Sequence, residues 1–235
     1  MSNNNVYYLM DSVAPGTIIR RYMKAKHLMD FLKDGEFYIK RKRCFEDVHE
    51  KGLPVWRLLD MQIVEGSNPV SFSPKCVLLN KEEAQESRIN ANMPTSCWTD
   101  YIGENILMWQ ARQKEEDYVC IRSTVHKVAT ALVGDNYDVY CLRMQYVISG
   151  CLNCTRGNLY TKELAYAGEK EIRFYLDYKD CIKECSDNQV YIKVNPQEMI
   201  DEIILSPYFD SQKAVSFAKE LKPTGIMVSQ SKIKI

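Results

Sequence analysis

No stretch of this sequence approaches the roughly 18 consecutive apolar residues that a bilayer-spanning helix requires, so no membrane span is expected. The opening residues, MSNNNVYYLMDS, have neither the basic start nor the apolar run of an export signal, and a cytoplasmic location is expected. Excess charge of either sign is missing too: 31 Lys and Arg balance 31 Asp and Glu. Such a chain carries no global basic field that would draw it to nucleic acid or an anionic membrane. There is no glycine-rich phosphate loop and no G-x-S-x-G elbow, which excludes the P-loop and α/β-hydrolase forms of catalysis. Histidine is scarce, and His27, His49 and His126 all lie far in sequence from the cysteine and serine candidates below. Repeats, low-complexity tracts and long Pro/Gly linkers are absent as well. A single domain over residues 1–235, with a polar N-terminal segment over 1–15, is expected.

What is present is a core-forming balance, 46% apolar residues, enough to bury a substantial interior. Nine cysteines are many and odd in number. With no export signal they read as reduced, mostly buried thiols rather than a disulfide scaffold. Alternation predicts strands over 16–23, 36–41, 93–100, 117–123, 137–148 and 226–235. Leu28, Phe31 and Leu32 share a face and predict a helix over 24–35 that stops at Gly35. Further helices are expected over 106–114, after a capping Ser123, over 159–168 and over 211–225. Residues 55–64 fit helix or strand, and 81–87 an exposed helix or loop. Many strands with helices interspersed, but not in strict alternation, predict an α+β fold with a mixed or split sheet and flanking helices.

Four constellations carry candidate chemistry. In YAGEKEIRF (166–174), Glu169 and Glu171 would share one face of a strand, because strand side chains repeat every two residues. They are either a solvated pair, with Lys170 and Arg173 as counter-charges on the opposite face, or a catalytic pair in which one carboxylate gains a partner or a shifted pKa. RCFEDVHE (43–50) holds Glu46, Asp47, His49 and Glu50, either a polar loop anchored by Phe45 or a site for a hard cation. Cys151/Cys154 and Cys181/Cys185 are spaced as zinc thiolates can be, but lack a knuckle and read first as buried thiols. In Ser96-Cys97-Trp98-Thr99 the hydroxyls either satisfy nearby backbone groups or orient a ligand.

Taken in order, CFEDVHE, SCWTD followed by LMW, YVCI, YTKELAYAGEKEIRF and IDEIILSP resemble a widespread bacterial family known as domain of unknown function 2971, from about Ile18 to Ile235. Glu46 and Val48 replace that family's usual Asn and Pro, and the Tyr and Gly that usually follow Met-Trp are missing. A second set of segments, Arg20-Arg21-Tyr22, Thr95-Ser96-Cys97-Trp98-Thr99 and Glu169-Lys170-Glu171, is similar in order to the site of ADP-ribosyltransferases. That resemblance implies NAD as the substrate, with Arg21, Tyr22, Ser96 and Trp98 at the cofactor. It makes Glu171 the carboxylate that stabilises the ribose cation, and Glu169 the one that positions a protein or nucleic-acid acceptor. Together the resemblances imply an NAD-consuming toxin or phage-defence effector, with a possible partner protein from a defence operon. Two alternatives differ in class. One is a non-catalytic binding or sensor module in which Glu171 and Arg173 form a structural ion pair. The other is a metal-dependent nuclease built on Glu46, Asp47 and Glu50. Titrating the denatured chain with a thiol reagent, without reductant, is expected to count all nine cysteines. A lower count would mark a disulfide.

Overall fold

In Glu36–Arg41, EFYIKR, every second side chain is buried: Phe37, Ile39 and Arg41. This two-residue period is that of a strand with one face on a core, and it organises most of the chain. The computed structural model describes residues 7–10, 13–45, 56–63, 72–78, 81–111, 117–147, 161–178 and 187–234. The strands are β1 (Tyr7–Leu9), β2 (Ile18–Lys24), β3 (Glu36–Arg41), β4 (Trp56–Ile63), β5 (Phe72–Leu78), β6 (Pro94–Thr99), β7 (Tyr118–Thr124), β8 (Tyr137–Arg143), β9 (Gln145–Val147), β10 (Thr161–Glu163), β11 (Glu171–Tyr178), β12 (Gln189–Lys193), β13 (Glu202–Leu205) and β14 (Met227–Gln230). The α-helices are α1 (Ala25–Asp34), α2 (Lys81–Asn92), α3 (Ile106–Gln110), α4 (Val125–Leu132), α5 (Pro196–Met199) and α6 (Ser211–Leu221).

Among the described residues, ten strands form one mixed sheet, and β4–β5 and β9–β10 form two-stranded ribbons. β1 runs parallel to β8, and β13 to β14, while the other pairings of the large sheet are antiparallel. The order β1-β8-β11-β6 is continuous, and beyond β6 the sheet divides. β11 takes one edge of β6 from Thr95 to Thr99. On the other edge β2 meets β6 at Arg20↔Thr99, and β3 meets it at Lys40↔Thr95 and Arg41↔Pro94. The first branch continues β2-β7-β13-β14; the second ends β3-β12. The fold is therefore α+β with a split, mixed sheet, as expected from the segment pattern.

The main core lies under one face of this sheet. α1 contributes Leu28 and Phe31, and α4 contributes Val125, Val128, Ala129 and Leu132, against Ile19, Trp98, Ile121 and Phe174. Burying each large apolar side chain stabilises by about 1.5–3 kcal/mol. On the other face Trp109 of α3 meets Tyr22 edge-on, with ring centroids 4.6 Å apart. No described helix is long and apolar enough to cross a membrane.

Of the two segments left open by the sequence, residues 56–63 are strand and 81–92 are helix. Other elements differ from the sequence expectation. The long strand expected over 137–148 breaks at the buried Met144, after which β9 leaves β11 to pair with β10. The helix expected over 159–168 is instead β10 followed by a 3-10 turn, Leu164–Glu169, because Thr161–Glu163 is taken up by β9. The expected cap of α4 shifts by one residue: Thr124 accepts from the Lys127 N–H, while buried Ser123 donates to the Met199 carbonyl at 2.5 Å. The final strand spans 227–230 only.

Gly35 ends α1 as expected, at φ 65° with its N–H on the Phe31 carbonyl. A Cβ there would stand 3.2 Å from the Val194 carbonyl oxygen. The left-handed backbone costs a side-chain-bearing residue about 1–2 kcal/mol. Gly35→Ala is expected to lower unfolding free energy by at least that amount in a urea titration.

Candidate functional site

The fork beyond β6 opens a cleft of about 590 Å³. Strand parity sets its walls. Residues directly opposite in register share a face, so Arg20, Lys40, Thr95, Cys97, Thr99 and Glu171 line up on the side away from the main core. Their neighbours Ser96 and Trp98 turn to the core side with Ile172 and Phe174. Four cationic side chains, Arg20, Arg21, Lys40 and Lys162, line the cleft against two carboxylates, Glu169 and Glu171. Tyr22, Tyr38, Phe45, Trp98 and Tyr118 supply aromatic surface. This mixture favours a ligand that is anionic, with flat groups and a cationic centre.

Arg21 ties the fork together. Its guanidinium donates to Ser96 Oγ of β6 at 3.0 Å and to the Tyr38 carbonyl of β3 at 3.4 Å, and lies 4.8 Å from the centroid of Phe37. Ser96 Oγ also accepts from Trp98 Nε1 at 2.9 Å. Arg20 donates to the Tyr101 carbonyl, while its buried Nε has no hydrogen-bond partner among the described residues.

The two carboxylates do not share a strand face. Glu169 ends the 3-10 turn, Lys170 takes a left-handed backbone at φ 44°, and Glu171 begins β11. Arg173 is two residues further along the same face as Glu171, so the expected counter-charge on the opposite face is corrected. The Arg173 guanidinium clamps Glu171 through Nε at 2.8 Å and a terminal nitrogen at 2.9 Å, and Arg173 is fully buried. Lys162 of β10 then joins the two acids, with Nζ 2.7 Å from Glu169 and 3.1 Å from Glu171. Two like charges stand close here because a cation stands between them.

Burial alone would raise the pKa of Glu171. The adjacent Arg173 charge and hydrogen bonds, with Lys162, outweigh it and hold the carboxyl at about 2. Glu171 is thus a buried carboxylate that stays ionised. Burial pushes the phenols of Tyr22 and Tyr38 up, so both stay protonated and able to donate.

The structure brings Glu169, Glu171, Arg21, Tyr22 and Trp98 to the cleft. Ser96 is fully buried, on the core side of β6, where it braces Arg21 instead of facing the cavity. Tyr22 and Trp98 show only a narrow surface, and the Tyr22 hydroxyl accepts from the Asn105 N–H at 2.9 Å. Sequence reasoning missed Tyr38, Lys40 and Lys162. The alternation of EFYIKR already put Tyr38 and Lys40 on the face opposite Phe37 and Ile39, and Lys162 stood inside a motif read as helix. The candidate metal residues Glu46, Asp47, His49 and Glu50, and the pairs Cys151/Cys154 and Cys181/Cys185, lie outside the described residues. Among the described residues no group of three or more His, Cys, Asp or Glu is placed to hold a metal ion.

No family model matches the chain, and no curated protein matches it. Among solved structures it is similar to Thermus sp. 2.9 DarT in complex with NAD+, at 12% identity over 94% of this chain and 98% of that one, with a TM-score of 0.42. It is also similar to the same protein in complex with ADP-ribosylated ssDNA, at 10% identity over 94% and 97% of the two chains, with a TM-score of 0.43. At these identities and scores the likeness assigns this chain neither ligand nor activity.

Glu171→Gln would leave the Arg173 charge buried with its ionised partner gone, a change that costs about 3–5 kcal/mol. A loss of that order is expected near neutral pH. A folded pKa of about 2, below the ordinary 4.5, makes the carboxylate's contribution complete above about 4.5. It is then lost as pH falls toward the folded value. Urea titrations of both proteins should therefore converge through that window.

Proposed function

We propose that the chain binds NAD in the fork between β2 and β3, breaks the bond between ribose and nicotinamide, and passes ADP-ribose to an acceptor. One observation carries the reading: the ionised, buried carboxylate of Glu171 borders a cleft otherwise lined by cationic and aromatic side chains. The cavity volume falls within the range of small-molecule sites. In the reaction the bond between ribose C1′ and the nicotinamide nitrogen breaks, and its electron pair leaves with neutral nicotinamide. Positive charge grows on the ribose, where Glu171 stabilises it more in the transition state than in the ground state. The acceptor's lone pair forms the new bond to C1′, and its proton passes to Glu169.

Arg20, Arg21 and Lys40 suit a pyrophosphate, and Tyr38 offers ring surface to the flat nicotinamide, with Tyr22 and Trp98 contributing only an edge. Ser96 and Trp98 serve this site by fixing Arg21. The acceptor is a protein or a nucleic acid. A role as a toxin or phage-defence effector with an operon partner rests on the family resemblance alone.

The bidentate clamp of Arg173 on Glu171 favours a second reading, a sensor that binds the dinucleotide without cleaving it. The Glu171–Arg173 pair is then a purely structural bridge. Calorimetry with NAD, combined with nicotinamide release in the presence of protein and nucleic-acid acceptors, separates the two. Release from the wild type, falling by about 100-fold or more in Glu171→Gln assayed well below its melting temperature, is expected for the enzyme. Binding without release fits the sensor. No binding at millimolar NAD ends both readings.

A further inference from the structure

Glu169 and Glu171 are held by different parts of the chain. The backbone around them is pinned from β6: Thr99 Oγ1 donates to the Glu169 carbonyl at 2.5 Å, and the Asp100 N–H to the Lys170 carbonyl at 3.1 Å. Neither bond orients a carboxylate. The Glu169 side chain, 32% exposed, is bound by Lys162, whose own side chain is 10% exposed. Lys162 comes from a third element, β10, and its ammonium also lies 4.7 Å from the Tyr166 ring centroid. Glu171 is faced by Arg173 on its own strand, by Lys162 from β10 and by the Cys97 thiol from β6, and its N–H donates to the Tyr146 hydroxyl of β9.

Two cations thus balance two anions in a nearly closed cluster. Lys162 touches both acids and also lines the cleft. We propose that Lys162 is a positioning residue that couples the two carboxylates, so that activation of the nucleophile at Glu169 is aligned with departure of nicotinamide at Glu171. This rests on the transferase reading above. With water as the nucleophile, the water oxygen bonds to C1′, the C1′–nitrogen pair leaves with nicotinamide, and one water proton goes to Glu169. Lys162 remains an ammonium throughout. Without it, Glu169 is free to turn toward solvent while Glu171 keeps its clamp on Arg173.

The test uses the full chain with NAD and water alone, comparing wild type, Lys162→Met and Lys162→Arg. Lys162→Met is expected to lower kcat by about tenfold or more, the scale of a lost charged hydrogen bond, with KM for NAD little changed. The acid limb of its pH profile should move to higher pH, because a cation that favours the ionised form of Glu171 is gone. Lys162→Arg, which can still reach both acids, should restore most of the rate and the limb. Melting curves check that each variant is folded at the assay temperature. A loss of rate that only follows the folded fraction, with the pH profile unmoved, overturns the positioning role and leaves the transferase reading intact. A wild type that binds NAD but never releases nicotinamide overturns both.

Discussion

β6 shares a single edge between two strands, and the candidate site follows from that. An ordinary central strand has one neighbour on each side. Here β11 occupies one side from Thr95 to Thr99, while the other is met by β2 at Thr99 and by β3 at Pro94 and Thr95. The interval between them becomes a wedge. Because the wedge passes through the sheet, it gathers side chains from both faces: Arg20 and Glu171 from one, Arg21 and Trp98 from the other. A continuous ladder would have kept these groups apart.

The charge cluster at the wedge is stable because it is nearly closed. Removing a carboxylate and a guanidinium from water is expensive, and their attraction offsets the cost only with good geometry and satisfied hydrogen bonds. Glu171 and Arg173 meet the geometric part of that condition with paired contacts of 2.8 and 2.9 Å, while the buried Arg173 Nη1 has no hydrogen-bond partner among the described residues. Lys162 and Glu169 extend the cluster toward solvent. The buried end is ionised, and the outer end, at Glu169, is part-exposed.

Much of this was legible in the sequence because period and composition carry it. The strand at 36–41, the helix stopped by Gly35 and the split α+β character all follow from local patterning. What could not be read locally was decided by partners distant in sequence. The helical pattern of 159–168 gave way because β9 captured Thr161–Glu163. Lys170 adopts a left-handed turn that no residue preference announces, and it removes Glu169 from the strand. Ser96 was expected at the cofactor, but strand parity sets it behind the wall, bonded to Arg21 across 75 positions of sequence.

Among the described residues, the wedge also leaves part of a strand edge without a neighbouring strand. Such an edge is a template onto which another chain can add, and proteins cover it or charge it. Arg21 does both here, reaching from β2 to Ser96 of β6 and the Tyr38 carbonyl of β3. Its planar guanidinium lies across the gap, 4.8 Å from the centroid of Phe37. A charge laid over an open strand edge is one of the features that disfavour edge-to-edge pairing, whatever the cleft binds.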